Sequence, residues 1–227
     1  MAGRLQAMPF SGEMMNLTAA RGGAGTYVTG QATVERILDA AQAMVIEGGF
    51  ARLTMRGLAR SLGMSPGNLG YYYRNREALL EGLFTHVLEP YLEEFERLRS
   101  LEGGSPEAQL RKVIDFIFED LGREETTHFF PEVWALALRD EKAAEQMERM
   151  YATYRSVLEE LIAAMRPDLK PAQVRDLALS ISASIEGHTV FVGHGRRHRR
   201  RSRHLKRMVV DQSVRLVKEF YDVGDRP

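Results

Sequence analysis

The stretch from Thr54 to Leu80 places the start and stop signals of short helices unusually close together. Thr54 can cap a helix that ends at Gly63, because a hydroxyl accepts an orphan backbone N–H and glycine adopts the left-handed conformation. Ser65, with proline at the first helical position, begins a second helix that reaches about Tyr72. A helix, a three-residue turn and a second helix form the layout that reads the major groove of DNA.

The second of these helices has an unusual composition for an element of a protein core. Leu69 is its only plainly apolar side chain, and glycine, asparagine and tyrosine supply the rest of the surface. Asparagine can pair with adenine, tyrosine hydroxyls can donate to phosphate oxygens, and glycine lets a backbone come near. The composition therefore predicts a DNA-reading surface. The alternative is a loop-rich connection in which the tyrosines only pack.

The run GGFARLTMRGLARSLGMSPGNLGYYYRNREALLEGL resembles the amino-terminal domain of the TetR/AcrR family of bacterial transcriptional regulators over about residues 33–80. The usual sequence pattern of that family is close to G-F-x-x-T-T-x-x-x-I-A-x-x-x-G-V-S-x-G-x-L-Y-x-H-F-x-x-K-E-x-L. The resemblance implies DNA contacts by Thr54, Arg56, Ser65, Pro66, Gly67, Asn68, Tyr71, Tyr72 and Arg76. Gly70 departs from the pattern, because it stands where the family has a tyrosine that helps to position the helix on DNA.

Composition limits the class of protein. The 227 residues are 44% hydrophobic and 27% charged, which is typical of a soluble globular chain. The formal net charge is zero, so attraction to nucleic acid must come from local clusters. Cysteine is absent, which excludes disulfides and thiolate chemistry. With no membrane-spanning run and no signal peptide in the sequence, we expect a cytoplasmic protein that has no membrane partner.

Three regions follow one another along the chain. Residues 1–30 lack sustained periodicity and predict a flexible N-terminal arm or an upstream extension of the true start. Residues 31–78 predict the helix-turn-helix domain, in which a helix capped by Thr33 supports the other two. Residues 79–227 predict a helical regulatory and dimerisation domain. The expected fold class is all-α, with an N-terminal three-helix DNA-binding domain followed by a C-terminal helical ligand-binding and dimerisation domain.

A long helical pattern links the two predicted domains. It continues from Arg76 to Leu98 and is interrupted by Pro90, which removes a backbone donor and is expected to kink the helix. Such a helix either transmits motion out of the DNA-reading unit or is a plain connector with a tolerated bend.

The middle of the chain contains the side chains that usually line a ligand cavity between helices. Such cavities are built from aromatic and flexible apolar groups with a few polar ones. The candidate lining residues are Phe116, Phe129, Trp134, Met147, Met150, Tyr151, Tyr154 and His188. At helical spacing the same residues also suit an ordinary core. The resemblance implies an effector site here, and we expect a small apolar or aromatic effector.

Catalysis has little support in the sequence. Candidate acid–base groups are His86, His128, His188 and Glu186, but no nucleophile–base signature, phosphate-cradling glycine loop or metal-ligand pair accompanies them. We therefore expect no enzyme, no cofactor and no metal. His188 and Glu186 are better explained as polar anchors of a ligand pocket.

The last two helical patterns predict a dimer interface. Pro171 opens a helix with many small side chains, and a final helix runs from Ser202 to about Tyr221. Two such helices can pair with their copies across a twofold axis and bury apolar faces there. The resemblance implies a homodimer through these helices, and paired DNA half-sites favour the same symmetry. The alternative is that both helices pack internally.

The stretch HGRRHRRRSRHLKR, from His194 to Arg207, has three interpretations. It supplies the charge for a nucleic-acid patch, and His194, His198 and His204 could bind a metal. An ordinary interhelical loop is favoured, because the arginines repel a cation and the resembling fold holds the stretch far from the reading helix. Its arginines could also face the acidic cluster at residues 93–96.

Together these patterns predict a homodimeric regulator, a repressor that a small molecule releases from a double-stranded operator. The proposed mechanism is a population shift, in which the ligand favours a half-site spacing that no longer matches a DNA turn of about 34–36 Å. One alternative is a DNA-binding regulator or architectural protein without a small-molecule effector, controlled by a protein partner. Another is a helical enzyme whose resemblance to a helix-turn-helix is only structural.

Overall fold

The computed structural model describes residues 24–100 and 104–221, and every regular element in these ranges is a helix. The elements are α1 (Ala24–Gly48), α2 (Met55–Ser61), α3 (Pro66–Tyr72), α4 (Arg76–Ser100), α5 (Pro106–Asp120), α6 (Glu124–Ala137), α7 (Glu141–Met165), α8 (Pro171–Val192) and α9 (Ser202–Glu219). A short 3₁₀ turn over Arg199–Arg201 precedes α9. The predicted all-α fold class is confirmed. No helix in the described ranges combines the length and apolarity needed to cross a membrane.

Thr54 and Ser65 cap the starts of α2 and α3, as the sequence predicts, and Asn75 caps the start of α4. The side chains of Thr54, Ser65 and Asn75 each accept a hydrogen bond from the backbone N–H three residues later, at 3.0, 3.1 and 2.9 Å. Gly49 and Gly63 have φ angles of +74° and +66°, in the left-handed region that glycine adopts without strain. These local signals fix where α1, α2 and α3 begin or end.

The predicted start of α1 is wrong. The helix begins at Ala24, so Thr33 lies inside it and does not cap it. Threonine is only slightly unfavourable in a helix interior, and a capping residue is therefore not always a start signal. Residues 24–30 of the expected arm are helical, while residues 1–23 lie outside the described residues.

The chain divides into two compact units, one that ends at Arg36 and one that begins at Ile37. The second unit contains the end of α1 and all the later helices. The predicted domain boundary between residues 78 and 79 lies inside this second unit and stays a prediction. The glycines and serine at 103–105 also predict a loop over residues 101–106, of which residues 101–103 lie outside the described residues.

The second unit is built around α7, which packs against α4, α5, α6, α8 and α9. Its buried face includes Leu158 and Ile162, and opposite helices contribute buried residues such as Phe95 and Ile114. α4 continues through Pro90 to Ser100, so the proline does not end the helix. The arrangement places the short helices α2 and α3 next to the first turn of α4.

Candidate nucleic-acid interface and ligand cavities

α3 is anchored by one side chain and exposed over the rest of its surface. Leu69 is fully buried at 0% exposure, whereas Tyr71 retains 80% of its surface exposed. Ser65, Gly67 and Asn68 are also exposed. Nothing in the described chain covers this polar surface, so a large partner can reach it directly.

Internal packing does not explain the glycines of α3. A Cβ added at Gly67 would come no nearer to another residue than 4.0 Å, the distance to the Ser65 hydroxyl. At Gly70 it would meet nothing within 4 Å. Contacts within the described chain therefore do not require glycine at either position.

The region around α2 and α3 is positively charged. The zero net charge of the whole chain does not show this local cluster. From Gly48 to Arg76 the chain contains five arginines and no acidic residue. Arg52, Arg56, Arg60 and Arg74 are exposed, as is Thr54 at the start of α2. A count of charges in this window would have found the cluster. Such a surface attracts phosphate groups although the whole chain is neutral.

Two of the predicted DNA contacts are only partly accessible. Tyr72 is half-buried and packs edge-on against Tyr71, with ring centroids 5.2 Å apart. Arg76 is also half-buried, and its Nη1 lies 3.8 Å from Asp140 Oδ2. The other predicted contacts lie on α2 and α3 or at Thr54 and Ser65, which cap these helices. Their roles in binding stay predictions.

An open cleft of about 440 Å³ lies between α1, α4, α5 and α6 and is called here the outer cleft. Its walls include the predicted ligand residues Phe116 and Phe129. They also include polar and charged groups at Gln42, His86 and Arg123. The His86 Nε2 atom lies 2.9 Å from Asp39 Oδ1, so this histidine joins α4 to α1.

A second cavity of about 40 Å³, called here the inner chamber, lies among α4, α5, α6, α7 and α8. Three of the predicted ligand residues, Met150, Tyr151 and Tyr154, line it. Trp134 lines neither cavity, but its Nε1 donates a hydrogen bond of 2.9 Å to the Tyr151 hydroxyl. The remaining predicted ligand residues, Met147 and His188, line neither cavity.

His188 is held on another surface of α8. Its Nδ1 lies 2.6 Å from the Ser184 carbonyl oxygen, and its ring packs on Phe118 with centroids 5.1 Å apart. These contacts explain a histidine in this helix without a ligand. Glu186, the other polar anchor considered from sequence, does line the inner chamber.

Asp120 is the centre of a polar network at the boundary of the two cavities. The Tyr91 hydroxyl donates to its carboxylate, and Thr126 Oγ1 donates to the same oxygen at 2.6 Å. Arg123 Nη1 lies 3.6 Å from the other oxygen. Burial and the neighbouring Asp120 charge both raise the pKa of Tyr91. Asp120 is therefore held by two hydroxyls and a cation.

Glu186 has a different environment from Asp120. Burial raises its pKa to about 7, a hydrogen bond with Tyr151 opposes that rise, and repulsion from Asp120 adds to it. The Tyr154 side chain beside it is only 5% exposed. Its hydroxyl lies near Ser182 but makes no hydrogen bond of ordinary geometry. The chamber therefore contains polar groups whose bonding capacity is not used within the described chain.

The sequence interpretation missed Tyr91, Asp120 and Thr126 as cavity residues. They lie on three different helices, and no spacing along the chain brings them together. One signal was available for Asp120, because it is the last residue of α5. A carboxylate at a helix C-terminus opposes the helix dipole, so it needs local compensation.

The first turn of α4 connects the region of α2 and α3 to α7. Gln146 Nε2 donates to the Glu77 carbonyl oxygen at 3.2 Å, and Asp140, which caps α7, lies beside Arg76. On the other side, Phe50 packs against Phe129 with ring centroids 6.0 Å apart. Both links join the region around α2 and α3 to helices that line the cavities.

The arginine- and histidine-rich stretch from His194 to Arg207 is attached to the bundle at a few points. Lys206 Nζ lies 2.8 Å from Asp115 and 2.7 Å from Glu119. His194 Nε2 lies 3.7 Å from a Glu124 oxygen. The arginines of the stretch are all exposed: Arg196, Arg197, Arg199, Arg200, Arg201, Arg203 and Arg207. The described residues contain no cluster of three or more His, Asp or Glu side chains suited to a metal ion.

An exposed helix-turn-helix joined to a helical bundle with internal cavities defines a DNA-binding regulator. Family models agree with this assignment along most of the chain. Residues 37–83 match bacterial regulatory proteins of the tetR family, and residues 106–218 match the C-terminal domain of BetI-type transcriptional repressors. The chain therefore belongs to the TetR family of transcriptional regulators.

Individual relatives and solved structures are consistent with the family. A transcriptional regulator from the dhlA 5′ region of Xanthobacter autotrophicus is 29% identical over 70% of this chain and 79% of its own length. The regulator BetI of Burkholderia thailandensis is 24% identical over 67% of this chain and 77% of its own length. The solved structure of a putative transcriptional regulator from Pseudomonas aeruginosa has the same fold, with a TM-score of 0.68 and 16% identity. The match covers 84% of this chain and 95% of that one.

Proposed function

We propose that this regulator represses transcription by binding a double-stranded operator as a homodimer, and that a small molecule in the C-terminal bundle releases it. The exposed polar surface of α3, within a stretch of five arginines and no acidic residue, is the observation that carries the proposal. Such a surface can reach base edges while arginines neutralise phosphates on either side.

The residues of α2 and α3 divide the recognition between sequence and backbone. Asn68 is exposed near the start of α3, where an amide can make two hydrogen bonds to adenine in the major groove. Arg56 is exposed on α2, the helix that crosses the backbone in this motif, and is suited to a phosphate. Asn68 therefore specifies sequence and Arg56 supplies affinity.

Dimerisation through α8 and α9 is supported by apolar side chains that the single chain leaves exposed. They are Leu179, Val190, Phe191, Met208 and Leu216. Gly187 lies on α8 with open space around it, so another helix can approach closely there. Exposed apolar side chains on two adjacent helices are typical of a surface that a second copy covers.

Effector control is supported by the outer cleft and by the contacts that connect its walls to the DNA-reading helices. A volume of about 440 Å³ is within the usual range for small-molecule sites. Phe129 lines the cleft and also packs against Phe50 in the turn before α2. A ligand that favours one position of α6 would therefore favour one position of the reading helices.

The DNA-binding part of the proposal is tested by selecting bound fragments from a random DNA pool with the purified protein. We expect a palindromic site with half-sites about one helical turn apart. Asn68→Ala should lower affinity for that site by about 5- to 150-fold and leave non-specific DNA binding unchanged. Arg56→Ala should weaken binding to all sequences and reduce the salt dependence. Recovery of no common sequence would contradict the proposal.

The dimer is tested with a pair of substitutions at exposed apolar side chains. Phe191 on α8 is 63% exposed and Leu138, after α6, is 87% exposed. Phe191→Glu should shift the protein from dimer to monomer in sedimentation velocity and abolish tight binding to the palindrome. Leu138→Glu should leave both properties unchanged. Equal behaviour of the two variants would show that α8 is not the interface.

A further inference from the structure

The two carboxylates beside the inner chamber differ in how their charge is compensated. Asp120 accepts hydrogen bonds from Tyr91 and Thr126 and lies 3.6 Å from Arg123. Glu186 has a hydrogen bond with Tyr151 and no ion-pair partner within the described part of the chain. A carboxylate in a cavity without a cation is a costly arrangement, unless a bound molecule supplies the cation.

A second group in the chamber independently indicates a missing partner. Tyr154 lines the chamber, and its buried hydroxyl makes no hydrogen bond of ordinary geometry with any of the described residues. Buried hydroxyls without a partner are uncommon in folded proteins and usually have a specific reason. A hydroxyl can accept a hydrogen bond, as can the Glu186 carboxylate, so the two together suit a group with several N–H donors.

The two cavities differ in size, so each suits a different part of such a ligand. At about 40 Å³ the inner chamber has room for a few water-sized groups, because about 10–15 Å³ of such volume already holds one water molecule. The outer cleft is about ten times larger and is lined by aromatic rings that include Phe116 and Phe129. The two cavities share Tyr91, Asp120, Thr126 and Phe130 as lining residues, so they are direct neighbours.

We propose that the inner chamber binds the ammonium group of a primary amine, and that the apolar body of the same molecule occupies the outer cleft. The ammonium donates to the Glu186 carboxylate and the Tyr154 hydroxyl, and the aromatic rings of the cleft contact the hydrocarbon. The inference deepens the proposed effector function and rests on it. A carboxylic acid would be repelled by Asp120 and Glu186. A quaternary ammonium has no N–H to donate to Glu186 or Tyr154.

The inference is tested with four compounds that share one hydrocarbon chain: hexylamine, hexyltrimethylammonium, hexanol and hexanoate. Binding to the purified full-length protein is measured by titration calorimetry at pH 8. We expect hexylamine to bind at least tenfold more tightly than each of the others. Glu186→Gln should weaken hexylamine by about 10- to 100-fold, as expected for a lost charge-assisted hydrogen bond. Tyr154→Phe should weaken it less.

Glu145→Gln is the matched control, because Glu145 is exposed on α7 and lines neither cavity. This variant should bind hexylamine as the unchanged protein does. Absence of hexylamine binding, equal binding of the quaternary compound, or equal binding by Glu186→Gln would each overturn the inference.

Release of operator DNA separates this inference from the proposed function. If hexylamine binds through Glu186 but does not release DNA, the amine site is correct and control by this site is wrong. If another class of compound releases DNA and Glu186→Gln responds to it unchanged, effector control is correct and the amine site is wrong.

Discussion

Helix α3 and the inner chamber both present polar side chains, but they do so in opposite settings. In α3 the residues are neighbours in sequence and face solvent, with Leu69 as the single buried anchor. In the chamber, Tyr91, Asp120 and Glu186 come from three helices and meet inside the bundle. The first arrangement suits a large external partner, and the second suits a small molecule that replaces water.

The strongest test of this comparison removes the only anchor of α3. Leu69→Ala should lower the free energy of unfolding by about 2–5 kcal/mol, because it leaves a cavity under a helix of seven residues. Tyr71→Ala, on the exposed side of the same helix, should change it by less than about 0.5 kcal/mol. Urea unfolding measures both. Similar losses for the two variants would show that α3 depends on more than Leu69.

The burial of Glu186 in the chamber should make the stability of the protein depend on pH. Glu186 has a pKa of about 7 in the folded protein against an ordinary value of 4.5, so the folded state binds the proton more tightly. Stability should therefore fall as pH rises from about 4.5 to 7 and level off above 7. Glu186→Gln should remove this dependence and be more stable than the unchanged protein at pH 8, by up to about 3 kcal/mol.

Urea unfolding at pH 5 and pH 8 measures the difference in stability between the unchanged protein and Glu186→Gln. This difference should be smaller at pH 5 than at pH 8. The titratable groups that interact with Glu186 are Asp120, Tyr91, Tyr151 and Tyr154, and they are present in both proteins. Subtracting one curve from the other therefore isolates Glu186. A difference in stability that is the same at both pH values would contradict the raised pKa of Glu186.

The contrast between the two regions also explains what could be predicted from the sequence. The ends of α2 and α3 are set by Thr54, Gly63 and Ser65, whose effects are local, and all three predictions are confirmed. The chamber depends on which helices become neighbours, and that depends on packing of the whole bundle. Its network around Asp120 was therefore missed. The predicted start of α1 is wrong because Thr33 is compatible with both a cap and a helix interior.

A smaller effect tests the connection between the two regions. Asp140 caps α7 and lies beside Arg76, whereas Ser105 caps α5 away from the DNA-reading helices. Asp140→Ala and Ser105→Ala should each cost about 0.5–2 kcal/mol of stability, because each removes an N-cap. Only Asp140→Ala should also change the ligand concentration that releases operator DNA. An equal change in both variants would mean that general loss of stability causes it.

The smallest effect concerns the glycine that departs from the family pattern. Gly70→Ala should raise the free energy of unfolding by about 0.4–1 kcal/mol, because the added methyl meets no other residue and alanine favours the helix. The same methyl should leave operator binding unchanged, because the family pattern has the much larger tyrosine side chain at this position. Gly82→Ala is the control, because its Cβ would lie 2.8 Å from the Tyr73 ring and should destabilise the protein. Thermal unfolding and operator titration measure both variants. A loss of stability in Gly70→Ala would mean that the surface of α3 is shaped by the protein's own packing and not for an external partner.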